Sequence, residues 1–247
     1  MNWLPDLSRR CIEPEVMDDP SLDADLHREA LRSLSRLNGL SLSSRILWGP
    51  IRQLAAAHSE APLRILDIAT GSADIPVALC RRAHQHGLSL QVTAIDISPR
   101  AIEFAEQRAA QAGVKIAFQV ADILGEQVEQ RWPQQFDVVM CSLFLHHLTE
   151  DQQRCLLKRM AKLARRFVLV NDLCRGLRGY WLAHAAARVF SRSSVVHIDG
   201  PLSVRAALTV PEVRRLAMEA GLPDAKVSHR WPFRYLLQWQ PPRRPAS

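Results

Sequence analysis

The sequence predicts an α/β domain built on a mostly parallel, seven-stranded sheet with helices on both faces. Two observations carry this. From Arg64 onward, short apolar runs alternate with helical stretches, the pattern of a parallel sheet covered on both sides. Three of the early strands carry an aspartate at or just beyond their carboxyl ends, where open parallel sheets bind ligands.

Taken in order, residues 1–20 are mixed and polar, with Pro5, Pro14 and Pro20. Leu26, Ala30, Leu34 and Leu37 then fall at helical spacing over Asp23–Asn38, and Asn38-Gly39 stops that helix. A second helix is expected at Ser43–His58, with Leu47, Ile51 and Leu54 on one face. Both precede the first strand, so residues 1–60 read as an N-terminal helical cap and 61–247 as the main domain. Strands are expected at Arg64–Ile68, Gln91–Ile95, Lys115–Val120, Phe136–Cys141 and Arg166–Val170. The helices between them are Ile75–His86, Pro99–Ala112 and Asp151–Ala164, the last with a capping box of Thr149 and Gln152. After strand five comes a helical insertion, with Gly179–Phe190 as helix and Ser191–Ala207 as loop. Pro211–Ala220 is a helix with proline in its first turn, Thr209 or Val210 at its N-cap and Gly221 as its stop. Ala225–Arg230 and Arg234–Gln240 pair as an antiparallel hairpin at the sheet edge.

Bulk properties exclude several classes. A length of 247 residues with 47% hydrophobic content fits one ordinary core. No stretch reaches the roughly 18 uncharged apolar residues of a membrane helix. Met1–Arg10 lacks an apolar signal region, so a cytoplasmic protein is expected. Cys11, Cys80, Cys141, Cys155 and Cys174 are odd in number and show no CxxC spacing, so they read as reduced packing residues. The net charge of +7 suggests nucleic acid, anionic lipid or an acidic partner. The densest basic stretch, Lys158, Arg159, Lys162, Arg165 and Arg166, reads as a solvated helix face, and Arg243-Arg244 as tail.

The strand ends carry the chemistry. Strand one runs into Asp67-Ile68-Ala69-Thr70-Gly71-Ser72-Ala73-Asp74, where small residues allow close approach of a ligand. The following helix offers free N–H groups to an anionic group such as a carboxylate. Strand two ends at Asp96, 29 residues on, where a carboxylate can accept both hydroxyls of a ribose. Strand three ends at Ala121-Asp122-Ile123, suited to an adenine edge. Together these describe a slot for a nucleoside with an amino-acid tail. A dinucleotide fingerprint needs three glycines as GxGxxG and an acid about 20 residues on, and only Gly71 is present.

Leu66-Asp67-Ile68-Ala69-Thr70-Gly71 resembles the first motif of class I S-adenosylmethionine-dependent methyltransferases. Asp96, Asp122 and Phe136-Asp137-Val138-Val139 are similar to the later motifs in order and spacing. The resemblance covers roughly residues 45–240 and implies a Rossmann-like fold and S-adenosyl-L-methionine as cofactor. It places Asp67 and Gly71 beside the methionine part, Asp96 at the ribose and Asp122 at the adenine. Ala69, Ile97, Ile123 and Cys141 complete the expected cofactor-binding set. Ala69 and Ala73 stand where the family pattern has glycine, a change tolerable if φ stays negative. Within the superfamily, Ser142-Leu143-Phe144-Leu145-His146-His147 resembles the ubiquinone/menaquinone-biosynthesis type.

A sulfonium methyl is already electrophilic, so the protein must align a nucleophile and help remove its proton. His146 and His147 follow strand four and are candidate bases; each is equally readable as a helix cap or a packing residue. Asn171-Asp172 end strand five at the same rim, and His197 and Asp199 lie in the insertion. Of these, Asp172 and His197 are further catalytic candidates. Trp181, Ala185 and Val189 could line a lid over an oily substrate or simply pack a helix. No metal is expected, because the histidines and acids form no ligand cluster and His146-His147 are adjacent. The expected activity is methylation of a hydroxyl or activated carbon on a hydrophobic small molecule such as a quinol, phenol or polyketide. Peripheral membrane contact stays open; nucleic acid is disfavoured. The rivals are an RNA methyltransferase, suggested by the charge, and a non-catalytic cofactor-binding protein, suggested by Ala69 and Ala73.

Overall fold

The structure is a computed structural model that describes residues 5–19, 21–23, 25, 26, 28–33, 42–58, 60–126, 132 and 136–242. Its sheet has seven strands: β1 (Leu63–Ile68), β2 (Leu90–Asp96), β3 (Ala117–Val120), β4 (Phe136–Ser142), β5 (Ala164–Leu173), β6 (Lys226–Arg230) and β7 (Arg234–Trp239). They lie in the order β3-β2-β1-β4-β5-β7-β6. All neighbours are parallel except β7, which runs antiparallel to both β5 and β6. Strand order reverses between β1 and β4, the switch at which such sheets open a crevice for ligands.

Strand periodicity sorts the core. Leu66, Ile68, Val139, Cys141, Val168, Val170, Tyr235 and Leu237 share one cluster with α4 (Glu150–Leu163) and α7 (Val210–Glu219). The alternate positions Ile65, Val138, Met140, Leu169 and Leu236 pack on the other face against α1 (Ser43–Ala57) and α2 (Asp74–Gln85). Helix α3 (Pro99–Gln111) covers β2 and β3 and is started by Ser98, whose hydroxyl accepts the Ala101 N–H. The capping boxes Thr149–Gln152 and Thr209–Glu212 start α4 and α7. Gly221, at φ 77°, closes α7.

Three expectations need correction. Residues 191–207 are not a loop: α5 (Leu177–Phe190) is followed by α6 (Ser194–Ala206). Gly200-Pro201 argue against a helix locally, yet buried Val195, Val196 and Val204 hold it by tertiary packing. Strand β5 continues through Asn171 and Asp172, which keep their ladder to Leu236 and Tyr235 of β7, while Asn171 Nδ2 donates to Ser142 and Asp172 pairs with His146. The N-terminal helix is seen at residues 25, 26 and 28–33, where Ala30 is buried beside Ala187, Val195 and Val196. Leu26, expected on its buried face, is exposed. Leu34, Leu37 and the Asn38-Gly39 stop lie outside the described residues.

Candidate functional site

The turn after β1 is unusual. Ala69, Gly71 and Ala73 all have positive φ, at 53°, 52° and 54°. The condition under which the two alanines would be tolerated without strain, a negative φ, is therefore not met. The chain must reverse between a buried strand and a buried helix, and Thr70 N–H to Ile95 O and Ala73 N–H to Thr70 O pin that path. Left-handed backbone costs an L-residue about 1–2 kcal/mol, so two alanines carry strain that glycine would not. A Cβ built on Gly71 meets no heavy atom within 4 Å, so open space lies against the turn. That backbone fits the close approach of an amino-acid tail.

Asp67 is buried beneath the turn and accepts the Thr70 hydroxyl at 2.6 Å. Burial pushes its carboxyl up to about 7, opposed by that hydrogen bond and reinforced by Asp74 and Asp96. Asp96 ties two loops together: Oδ2 accepts the Gly71 N–H at 2.8 Å and Oδ1 the Ser98 N–H at 2.9 Å. A carboxylate oxygen has more than one acceptor site, the chemistry that hydroxyl recognition calls for. Asp122 Oδ1 accepts the Leu124 N–H at 2.8 Å. Ile97 is 68% exposed at the rim, an apolar surface beside Asp96. Ile123 and Cys141 are buried in the core, so only their backbones can face a ligand. Burial raises the Cys141 thiol well above its ordinary value.

Beyond β4, Leu143 at φ 57° turns the chain, its N–H bound to Asn171 O, and Leu145–His147 form one 3-10 turn. This presents His146 to Asp172. His146 Nδ1 lies 2.7 Å from Asp172 Oδ1, and its backbone N–H donates to Oδ2 at 3.1 Å. Burial pushes Asp172 up, but His146 and the Leu173 N–H outweigh this and hold it below the ordinary carboxylate value. A carboxylate on Nδ1 assigns the proton there and leaves Nε2 as the basic nitrogen.

The structure adds a residue that sequence reasoning missed. Glu15 places Oε1 3.8 Å from His146 Nε2 and Oε2 3.9 Å from His147 Nδ1. The two rings lie 4.2 Å apart. Each of the three residues offers a ligand atom within 4.8 Å of the others, so the premise that no ligand cluster exists does not hold. No local signal could find Glu15, which stands 131 residues from His146. It is delivered by an N-terminal segment sewn down by Arg10. That guanidinium donates to His146 O, Leu148 O and Ala206 O. Asp199, a minor candidate in the insertion, accepts the Val16 and Met17 N–H groups at 2.9 and 3.0 Å and so anchors this segment. His197 is engaged elsewhere, with Nε2 on the Ser191 carbonyl at 2.9 Å, which removes that nitrogen as a base. Arg234, at the start of β7, is also buried, and its Nε and Nη1 find no hydrogen-bond partner among the described residues.

Comparison with known proteins follows this geometry. The family described as "Methyltransferase domain" matches residues 65–166. A ubiquinone biosynthesis O-methyltransferase of Cupriavidus pinatubonensis is 25% identical over 191 residues, covering 71% of this chain and 72% of that protein. A release factor glutamine methyltransferase of Koribacter versatilis is 33% identical over 87 residues, covering 35% of this chain and 29% of that protein. Among solved structures, a plantazolicin methyltransferase bound to a monoazolic desmethylPZN analog and SAH aligns at TM-score 0.64 with 15% identity. It covers 87% of this chain and 90% of its own, and establishes likeness of fold.

Proposed function

We propose, for a chain that belongs to the class I S-adenosylmethionine-dependent methyltransferases, methylation of a hydroxyl or activated carbon on a hydrophobic small molecule of quinol, phenol or polyketide type. The cofactor supplies an electrophilic methyl sulfonium. The 69–73 turn and Asp67 hold its methionine part, Asp96 its ribose hydroxyls, and Asp122 with the Ile123 backbone its adenine. His146 Nε2 takes the acceptor's proton, and Asp172 fixes the tautomer and stabilises the imidazolium that forms. His147 and Glu15 border the same centre.

The observation that carries this reading is the 2.7 Å His146–Asp172 pair at the end of β4 and β5. An RNA acceptor is less well supported. Within the densest basic stretch, Arg159 donates to the Ile123 and Gly125 carbonyls and Arg166 pairs with Asp137.

The test is turnover on a panel of phenols, hydroquinones and RNA. His146→Ala should lower turnover on the preferred acceptor by about 10²–10⁴-fold. Affinity for S-adenosylhomocysteine should stay unchanged by calorimetry. Near-full turnover in that variant would sink the base assignment. Despite the Glu15–His146–His147 cluster, proton transfer needs no metal in this scheme, so activity should survive EDTA.

A further inference from the structure

We propose that the outer face of α5, with the adjoining β6–β7 turn, docks on an anionic lipid surface. Helices normally bury their apolar stripe; α5 exposes one. Leu177, Trp181 and Leu182 are 45%, 45% and 43% exposed, and Val189 and Phe190 are 71% and 50% exposed. The turn joining β6 to β7 packs against the buried side of α5 and exposes apolar groups of its own. A Cβ built on Gly179 of α5 would stand 3.1 Å from Phe233 Cβ, so the turn lies directly against the helix. Its Trp231 and Phe233 are 73% and 40% exposed. Large apolar side chains exposed together on one helix and its adjoining turn mark an interaction site.

Charge decides what the partner is. Residues 173–198 contain four arginines and no aspartate or glutamate. Arg175 is spent internally on Glu212. Arg178, Arg188 and Arg192 are exposed among the apolar residues. Bulky apolar and aromatic side chains interspersed with cations, without acids, suit the boundary between anionic headgroups and acyl chains. A second copy meeting this face two-fold would set arginines against arginines, which disfavours self-association. No helix among the described residues is long and apolar enough to cross a membrane, so the contact is peripheral. The proposal stands apart from the acceptor chemistry, because the patch is read from exposure and charge alone.

The experiment is co-sedimentation of the full chain with vesicles of phosphatidylglycerol and of phosphatidylcholine. Binding is expected to phosphatidylglycerol, weakening steeply with salt, and not to phosphatidylcholine. An arginine near such a surface is worth about fivefold in affinity, so Arg178→Gln, Arg188→Gln and Arg192→Gln together should weaken binding about 100-fold. Val189→Ser with Phe190→Ser should also weaken it while leaving the far-ultraviolet spectrum and melting temperature unchanged, since both side chains are exposed. Binding that ignores lipid charge, or survives both sets of substitutions, would overturn the proposal. So would a dimer of the parent that the serine pair converts to monomer, which would identify the face as a subunit interface.

Discussion

The rim of the sheet is built in two different ways. On the β1–β3 side, each polar group comes from a strand end or the loop just after it, within residues 67–125. On the β4–β5 side, the centre draws on Glu15, His146, His147 and Asp172, with Arg10 and Asp199 holding Glu15's segment in place. The first half is local in sequence, the second is assembled from distant pieces. The cofactor half should therefore respond to substitution as a binding site, and the acceptor half as a machine for proton transfer, with little crosstalk.

The sharpest way to break that division is Asp172→Asn. The amide keeps the size of the carboxylate but favours the wrong tautomer of His146. Turnover should fall about 10²–10⁴-fold, while calorimetry with S-adenosylhomocysteine should show parental affinity. A parallel loss of affinity would mean that the two halves are one unit. The converse experiment is Asp96→Ala. It removes the proposed ribose acceptor and frees the Gly71 and Ser98 N–H groups. Cofactor affinity should drop about 10- to 100-fold, and unchanged affinity would sink the ribose assignment.

Two buried aspartates sharpen the comparison through pH. Asp67 is raised from 3.8 to about 7 in the folded chain, so between those values the folded state holds a proton that the unfolded state has lost. Stability of the cofactor-free protein should then fall as pH rises from about 4 to about 7. Asp172 is lowered, so its contribution is present above the ordinary value and lost as pH drops through the folded one. Melting temperatures across pH should show the first slope vanish in Asp67→Asn, and a slope that persists would refute the assignment. The smallest expected effect is Ala69→Gly. Relief of a φ of 53°, less the extra freedom of glycine when unfolded, should stabilise the protein by about 0.5–1 kcal/mol. That is a rise of about 1–3 °C in melting temperature for a chain of this size.

These two halves also differ in how far the sequence discloses them. Alternating apolar runs and helices reveal the sheet, and Asp67, Asp96 and Asp122 mark the proposed cofactor slot, because a strand end fixes where its own next residue stands. The sign of φ at Ala69 and Ala73 is not readable that way: a small side chain says that backbone must come close, not which way it turns. Helix α6 hides behind Gly200-Pro201, since its support comes from packing and from Asp199 holding the Val16 and Met17 N–H groups. Glu15 and the buried Arg234 carry no local pattern, and only the folded chain brings them to the rim.

The attachment of the N-terminal segment bears on the order in which the enzyme is made. Arg10 is anchored to carbonyls 136 to 196 residues further along, and Val16 to a carboxylate 183 residues further along. A segment that leaves the ribosome before the sheet is thus among the last to reach its place. The proposed cofactor slot ends at residue 125 and can form before α6 exists, whereas the segment carrying Glu15 is fully anchored only once Asp199 and Ala206 are made. Such distant closure slows folding. It also means that a chain interrupted before α6 would keep the His146 and Leu148 anchors of Arg10 but lack the Asp199 and Ala206 anchors of the segment that carries Glu15.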